Sequence, residues 1–324
     1  MDFYATLGTA CSERAMLSTL FSEGMTAARL NLSHTTLDAC APLLERFRAA
    51  AREARVKPRL VIDLQGPELR VGLLEKPVAL VVGKEVVLGE GGVPIPQSVV
   101  EAAQAGDRIS LDDSALLLEV ASAGEESLRC KVLRGGTLFS RKSLALLGRD
   151  IDAPALTDAD RANLRKAGEF GVTDVLQPFV RGAEDVRAVR QALDWAGLSE
   201  ARIMAKIKYR RGMEHLDAIL AAADEVCIAR GDLGNAAPLW EVPRLQKEIA
   251  RRCREAGKPF CVATQLLWSM ESRAVPTRAE VSDIYNAVLD GASGLMLTGE
   301  TAVGKYPAEA MRYLVKTAKA ALDG

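Results

Sequence analysis

Eight short aliphatic runs recur along this chain, each followed by a polar or glycine-bearing turn and then by a helical pattern. They fall at 3–7, 27–32, 59–64, 174–179, 202–207, 225–229, 260–264 and 294–297. Runs that are apolar on both faces suit parallel strands covered on both sides, and parallel strands need crossover helices between them. Eight such repeats predict an α/β fold of the (β/α)8 TIM-barrel type.

The rhythm breaks once. Between the third and fourth runs, residues 72–155 carry short β-like pieces such as Val78-Ala79-Leu80-Val81-Val82 and Leu116-Leu117-Leu118-Glu119-Val120, punctuated by glycine and proline. The segment is too long for a βα loop, so an inserted small β-barrel-like cap domain is expected. The organisation is then barrel (1–71), cap (72–155) and barrel again (156–324). Removing the insertion leaves about 240 residues, near the roughly 250 typical of such barrels.

Charge narrows the choice of partners. Lys and Arg total 42 against 43 for Asp and Glu, so no concentrated positive field invites nucleic acid or an anionic membrane. The start, Met1-Asp2-Phe3-Tyr4, has no basic segment leading into an apolar one, and no later run is long enough to span a bilayer. A cytoplasmic location is expected. Six scattered cysteines lack ligand or framework spacing, which reads as reduced thiols, with Cys227 and Cys261 in the core. Trp268 and Tyr209 are expected to pack rather than stack on a ligand.

Catalytic groups of such barrels project from the carboxyl ends of the strands. Here those positions hold Arg29, Asn31, Ser33 and His34; Asp63, Glu68 and Arg70; Lys206 and Lys208; Arg230, Gly231 and Asp232; Thr264; and Thr298, Gly299 and Glu300. Arg29 and Arg70 suit bidentate capture of phosphate or carboxylate, and Asn31, Ser33 and Asp63 offer oxygens to a hard cation. The competing reading of each arginine is a structural salt bridge across the barrel mouth. Asp232 reads equally as a helix cap or a metal ligand, and His34 as a rim hydrogen bonder.

With these residues assembled, the chain resembles the pyruvate kinase family over nearly its whole length. The matching segments, in family order, are Thr6-Leu7-Gly8-Thr9-Ala10-Cys11-Ser12, Ala28-Arg29-Leu30-Asn31-Leu32-Ser33-His34 and Asp63-Leu64-Gln65-Gly66-Pro67-Glu68-Leu69-Arg70. They continue with Ala229-Arg230-Gly231-Asp232-Leu233-Gly234, Ala263-Thr264-Gln265-Leu266-Leu267, Pro276-Thr277-Arg278-Ala279-Glu280 and Leu297-Thr298-Gly299-Glu300-Thr301-Ala302. The resemblance implies transfer of a phosphoryl group between phosphoenolpyruvate and ADP, giving pyruvate and ATP. It implies Arg29 and Lys206 on the phosphate, K+ held by Asn31, Ser33, Asp63 and the Leu64 carbonyl, and Mg2+ held by Asp232. It further implies the Gly231 and Asp232 amides on the substrate carboxylate, Thr264 beside the enolpyruvate, and His34, Arg70 and Lys142 near the nucleotide phosphates. A homo-oligomer through the barrel is also implied.

Three departures accompany the resemblance. The family's Lys-Ile-Glu-Asn segment reads Lys206-Ile207-Lys208-Tyr209, which puts an ammonium where a magnesium-binding carboxylate stands. The family's C-terminal domain, with its allosteric-effector site, is expected to be missing because the sequence stops after the barrel's last helix. Gln177-Pro178 and Asn235-Ala236-Ala237-Pro238 replace familiar residues of the pocket floor and rim. Three readings follow: pyruvate-kinase-type transfer with Lys208 supplying part of the metal's charge; different chemistry on an enolpyruvyl, keto-acid or phosphorylated metabolite; or a non-catalytic anion-binding or regulatory relative. Lys206 and Lys208 face the same way on a strand and disfavour each other's protonation, one route to a nucleophilic amine.

Overall fold

The computed structural model describes all residues except 34, 113, 114, 150, 152, 208, 209 and 324. The chain forms two compact units, Met1–Gly66 with Ala155–Gly324, and Pro67–Pro154.

In the larger unit, β1 (Asp2–Thr6), β2 (Ala27–Asn31) and β3 (Arg59–Asp63) precede the insertion. The insertion contains β4 (Val78–Leu80), β5 (Glu85–Gly89), β6 (Arg108–Leu111), β7 (Leu116–Ala123), β8 (Ser127–Arg134), β9 (Gly136–Leu138) and β10 (Leu144–Leu147). The barrel resumes with β11 (Asp174–Gln177), β12 (Arg202–Ile207), β13 (Glu225–Ala229), β14 (Phe260–Ala263) and β15 (Gly294–Leu297). The eight barrel strands pair in parallel and close in the order β1-β15-β14-β13-β12-β11-β3-β2. Five of the anticipated runs end early, those of β1, β2, β3 and β14 by one residue and that of β11 by two, and for β11 and β14 the backbone gives the local reason. Pro178 lacks an N–H for the ladder and Phe179 turns to φ +57°, while Thr264 at φ +74° ends β14.

The helices lay aliphatic stripes against the outside of the strands, and a separate small layer fills the interior: Tyr4, Ala27, Val61, Leu176, Met204, Cys227, Ala229, Cys261, Ala263 and Met296. Large side chains (Tyr4, Leu176, Met204, Met296) beside small ones (Ala27, Cys227, Ala229, Cys261, Ala263) fill the interior as a packed core. Gly294 makes room for the Tyr4 ring, since a Cβ at that position would stand 2.8 Å from Tyr4 Cε2. All six cysteines are free thiols.

The smaller unit is antiparallel: β10-β6-β7-β8-β5 form one sheet and β4-β9 another. Its first boundary lies at Gly66/Pro67 instead of 71/72, because 69–72 belongs to its hydrogen bonding. Leu144 donates to the Leu69 carbonyl at 2.8 Å and Val71 to that of Lys142 at 2.9 Å. The second boundary, Pro154/Ala155, is one residue from the expected place.

The amino ends of the barrel strands are tied by one cation. Arg59 pairs with Asp2 at 2.7 Å, with Glu225 at 2.9 Å and with Asp174, and lies 5.5 Å from the Tyr4 ring centroid. Burial pushes the Glu225 carboxyl above its ordinary range, against the pull of Arg59. Removing the shared cation would leave Asp174 and Glu225 buried without it. Arg59→Met is therefore expected to lower stability by roughly 3–5 kcal/mol, read as a reduced urea midpoint for the barrel's unfolding.

Candidate active site

The carboxyl ends of β2, β3, β12 and β13 bring four charged side chains together. Asn31 and Asp63 are register partners on adjacent strands, and Arg29 stands two residues before Asn31. The Arg29 guanidinium grips Asp63 Oδ2 through Nε at 2.9 Å and Nη2 at 2.5 Å, and its Nη1 donates to the Thr6 hydroxyl at 3.1 Å. Lys206, near the end of β12, places Nζ 3.0 Å from Asp232 and 3.9 Å from Asp63. Asp63 is thus shared by two cations in a nearly dry setting, its side chain only 4% exposed.

Burial by itself pushes the Lys206 ammonium toward neutrality, but Asp232 and then Asp63 outweigh it and hold the group above the ordinary lysine range, against the neighbouring Arg29. The scale is sufficient: a unit pair 4 Å apart attracts by about 4 kcal/mol at an effective dielectric of 20. The folded protein therefore binds this proton more tightly than the unfolded chain does. The resulting stabilisation is complete below the ordinary lysine pKa of about 10.4 and is lost only as pH rises through the higher folded value.

On the neighbouring strand ends, the helix Arg230–Ala236 begins directly after Ala229, so Asp232 stands inside its first turn and not at its cap. The Gly231 N–H donates to the Thr264 hydroxyl at 2.8 Å, so a substrate carboxylate taking that amide must displace or share it. Thr264 and Gln265 both have left-handed backbone, at φ +74° and +53°. For a β-branched residue such a conformation costs about 1–3 kcal/mol and persists where surrounding contacts enforce it. Arg230 supplies two of them, donating to the Thr264 carbonyl through Nε at 3.2 Å and Nη2 at 2.7 Å. Glu300, 1% exposed, secures the loops beside it by accepting N–H groups from Leu267 at 3.0 Å and Thr298 at 2.7 Å.

The proposed monovalent-cation donors Asn31, Ser33, Asp63 and Leu64 supply only oxygen ligands with one negative charge, which suits such an ion. The Asn31 side-chain oxygen is aligned by the Ser33 N–H at 3.1 Å. The described carboxylates do not fit a magnesium site built on two of them. Asp232 faces the Lys206 ammonium, Asp63 Oδ2 is committed to Arg29, and among the described residues no group of three or more His, Cys, Asp or Glu converges. Of the other expected site residues, His34 and Lys208 lie outside the described residues, as does Tyr209. Arg70 and Lys142 belong to the smaller unit, where Arg70 pairs with Glu68 and Lys142 with Asp112 at 2.8 Å. Trp268 does not pack inside: the short helical turn Trp268–Glu271 leaves it 62% exposed.

Three residues with local roles escaped the sequence reading. Buried Asp160 accepts the N–H groups of Gln65 at 2.8 Å and Gly66 at 3.1 Å, fixing the turn after β3. Its signal was the spacing Thr157-x-x-Asp160, a capping box whose carboxylate also reaches this turn. Gly66 is required there, since its φ is +63° and a Cβ would meet the Pro178 ring at 2.7 Å. Asp283, paired with Arg230, had no comparable mark in the sequence.

Fold and site together define a (β/α)8 barrel with two cations, Arg29 and Lys206, paired to two carboxylates, Asp63 and Asp232, at its carboxyl rim. The family model "Pyruvate kinase, barrel domain" matches residues 2–311, and the chain belongs to the pyruvate kinase family. It is 40% identical over 315 residues to a pyruvate kinase of Aeropyrum pernix, covering 96% of this chain and 69% of that protein. It is 38% identical over 316 residues to one of Mycobacterium tuberculosis, covering 95% and 67%. The human "Pyruvate kinase PKLR" is 39% identical over 330 residues, covering 95% of this chain and 57% of the human protein. The chain thus spans between somewhat over half and about two thirds of these relatives' lengths. Among the described residues no helix is long and apolar enough to cross a membrane.

A lysine kept protonated is a poor nucleophile. Incubation with pyruvate and borohydride at neutral pH is expected to leave Lys206 unmodified in peptide mass spectra, whereas a reduced adduct on that residue would contradict the charge state derived from its two carboxylates.

Proposed function

We propose that this chain transfers a phosphoryl group between phosphoenolpyruvate and ADP, giving pyruvate and ATP. The observation that carries the reading is the charge cluster of Arg29, Lys206, Asp63 and Asp232, in which two cations are fixed over a shared carboxylate. Phosphoryl transfer draws its catalysis mainly from positioning and charge neutralisation, which is what such a cluster supplies. The bond between phosphorus and the enol oxygen breaks as one forms to a terminal phosphate oxygen of ADP, and the released enolate takes a proton at carbon.

In this scheme Arg29 binds the substrate phosphate, and the Lys206 ammonium follows the transferring group. Thr264 lies beside the enolpyruvate carbons, with the Gly231 and Asp232 amides on the carboxylate. K+ held by Asn31, Ser33, Asp63 and Leu64 would add a fixed positive charge near the phosphate. His34, Arg70 and Lys142 serve the nucleotide phosphates. Magnesium would supply further charge neutralisation if bound, but the described donors do not fit its two-carboxylate site. By sequence Lys208 holds the second ligand position, and its ammonium takes over part of that positive charge.

The reading places the chain in the cytoplasm. A homo-oligomer through the barrel accords with the exposed Leu239 and Trp240 on its outer surface. In the altered-chemistry reading, a Schiff base on Lys206 would have to form against Asp232 and Asp63, which favour the charged amine.

Two variants test the assignment by ATP formation from phosphoenolpyruvate and ADP in potassium buffer. Lys206→Met is expected to lower kcat at least 100-fold, about 2.7 kcal/mol of transition-state stabilisation. Lys208→Glu is expected to raise turnover in magnesium and not in chelator. Equal turnover in wild type and Lys206→Met would contradict the proposal.

A further inference from the structure

Thr264 sits in a backbone conformation that a β-branched residue avoids, and the contacts that hold it there extend away from the charge cluster. Its carbonyl accepts two N–H groups from Arg230, through Nε and Nη2. The opposite edge of the same guanidinium, Nη1, is held by Asp283 Oδ2. Asp283 belongs to the helix Arg278–Leu289, whose start is fixed by a capping box between Thr277 and Glu280. Glu280 also accepts the N–H of Ser269 at 2.7 Å, tying that helix start to the segment following Thr264. The guanidinium is a planar fork with five donors in fixed geometry, so anchoring one edge sets where the other points. A strained residue, a rigid fork and an anchored carboxylate thus form one line of contacts.

We propose that Asp283 is a positioning residue for Thr264, acting through Arg230. This rests on the phosphotransfer reading, in which Thr264 lies beside the enolpyruvate. Asp283 touches neither Lys206 nor Asp63 in the described contacts. In the described contacts its carboxylate holds the Arg230 fork, which in turn fixes the Thr264 carbonyl and keeps the hydroxyl in reach of Gly231. Asp283 and Arg230 also line an open cleft of about 560 Å³, together with Gln246, Gln265, Ser282 and Asn286. The Asp283 side chain is 33% exposed, so its loss should leave the barrel folded, and a small carboxylate from solvent can reach the space it vacates.

The test compares wild type with Asp283→Ala and Asp283→Glu, using 13C-threonine-labelled protein in which Thr264→Ser identifies the Thr264 signals. In Asp283→Ala the Thr264 Cα and Cβ signals should move. Added formate, or the Asp283→Glu variant, should return them toward their wild-type positions. In the same variant kcat for ATP formation should fall ten- to a hundredfold with KM for phosphoenolpyruvate within twofold, and formate should restore part of it. Thr264 signals that stay in place overturn the proposal, and so do moved signals with unchanged kcat in an active parent. If the parent forms no ATP, the phosphotransfer reading fails by that result alone, while the Thr264 signals still decide whether Asp283 positions this residue.

Discussion

One buried carboxylate organises the rim of this barrel. Asp63 accepts Nε and Nη2, one edge of the Arg29 guanidinium, and stands 3.9 Å from the Lys206 ammonium, so two cations that would repel one another are held in a nearly dry setting. Without that anion the pair would be costly to bury, since uncompensated charges in such surroundings lose their hydration with no return. Asp232 completes the arrangement by pairing with Lys206 at 3.0 Å. The cluster is therefore close to balanced within the protein itself, and on the proposed reading an incoming phosphate would exchange partners with it and not have to create a charged site.

The two ends of the barrel use charge differently. At the amino ends of the strands, one arginine is shared by Asp2, Asp174 and Glu225, and every partner is a protein group with a fixed place. That pattern closes the barrel and offers nothing to a ligand. At the carboxyl ends, the lysine and arginine meet at strand termini where the chain turns away, through the left-handed Thr264 and Gln265 and the short helix opening at Arg230. Irregular backbone at this rim lets polar groups converge, whereas the regular ladder below it supplies the rigidity that holds them.

Much of this was legible in the sequence because buried parallel strands write themselves as short aliphatic runs. The ends of β12, β13 and β15 fell where the run stopped, while those of β11 and β14 were shortened by Pro178 and by the left-handed turn at Thr264. The strand-end rule also found Arg29, Asp63, Lys206 and Asp232, since a charged residue at the end of an apolar run has few other uses. It could not foresee how they pair: Arg29 proves to be both a candidate phosphate ligand and the structural partner of Asp63. Asp160 and Asp283 were missed because each sits on a helix and reaches a distant element, Asp160 the turn after β3 and Asp283 the start of the helix Arg230–Ala236, a relation that local pattern does not encode. The boundary at 66/67 was misplaced for the same reason, because residues 69–72 pair with a segment seventy residues later. Trp268 was expected to pack, but it lies on a short helical turn that leaves it 62% exposed.

On the proposed reading, the Arg29–Asp63–Lys206 cluster captures a phosphorylated enol acid. Calorimetric titration of phosphoenolpyruvate into the protein in potassium buffer, without nucleotide, reads that step apart from turnover. Saturable binding, weakened at least tenfold in Lys206→Met, is expected; no binding heat in the wild type, or equal affinity in the variant, would show that the cluster does not take this substrate.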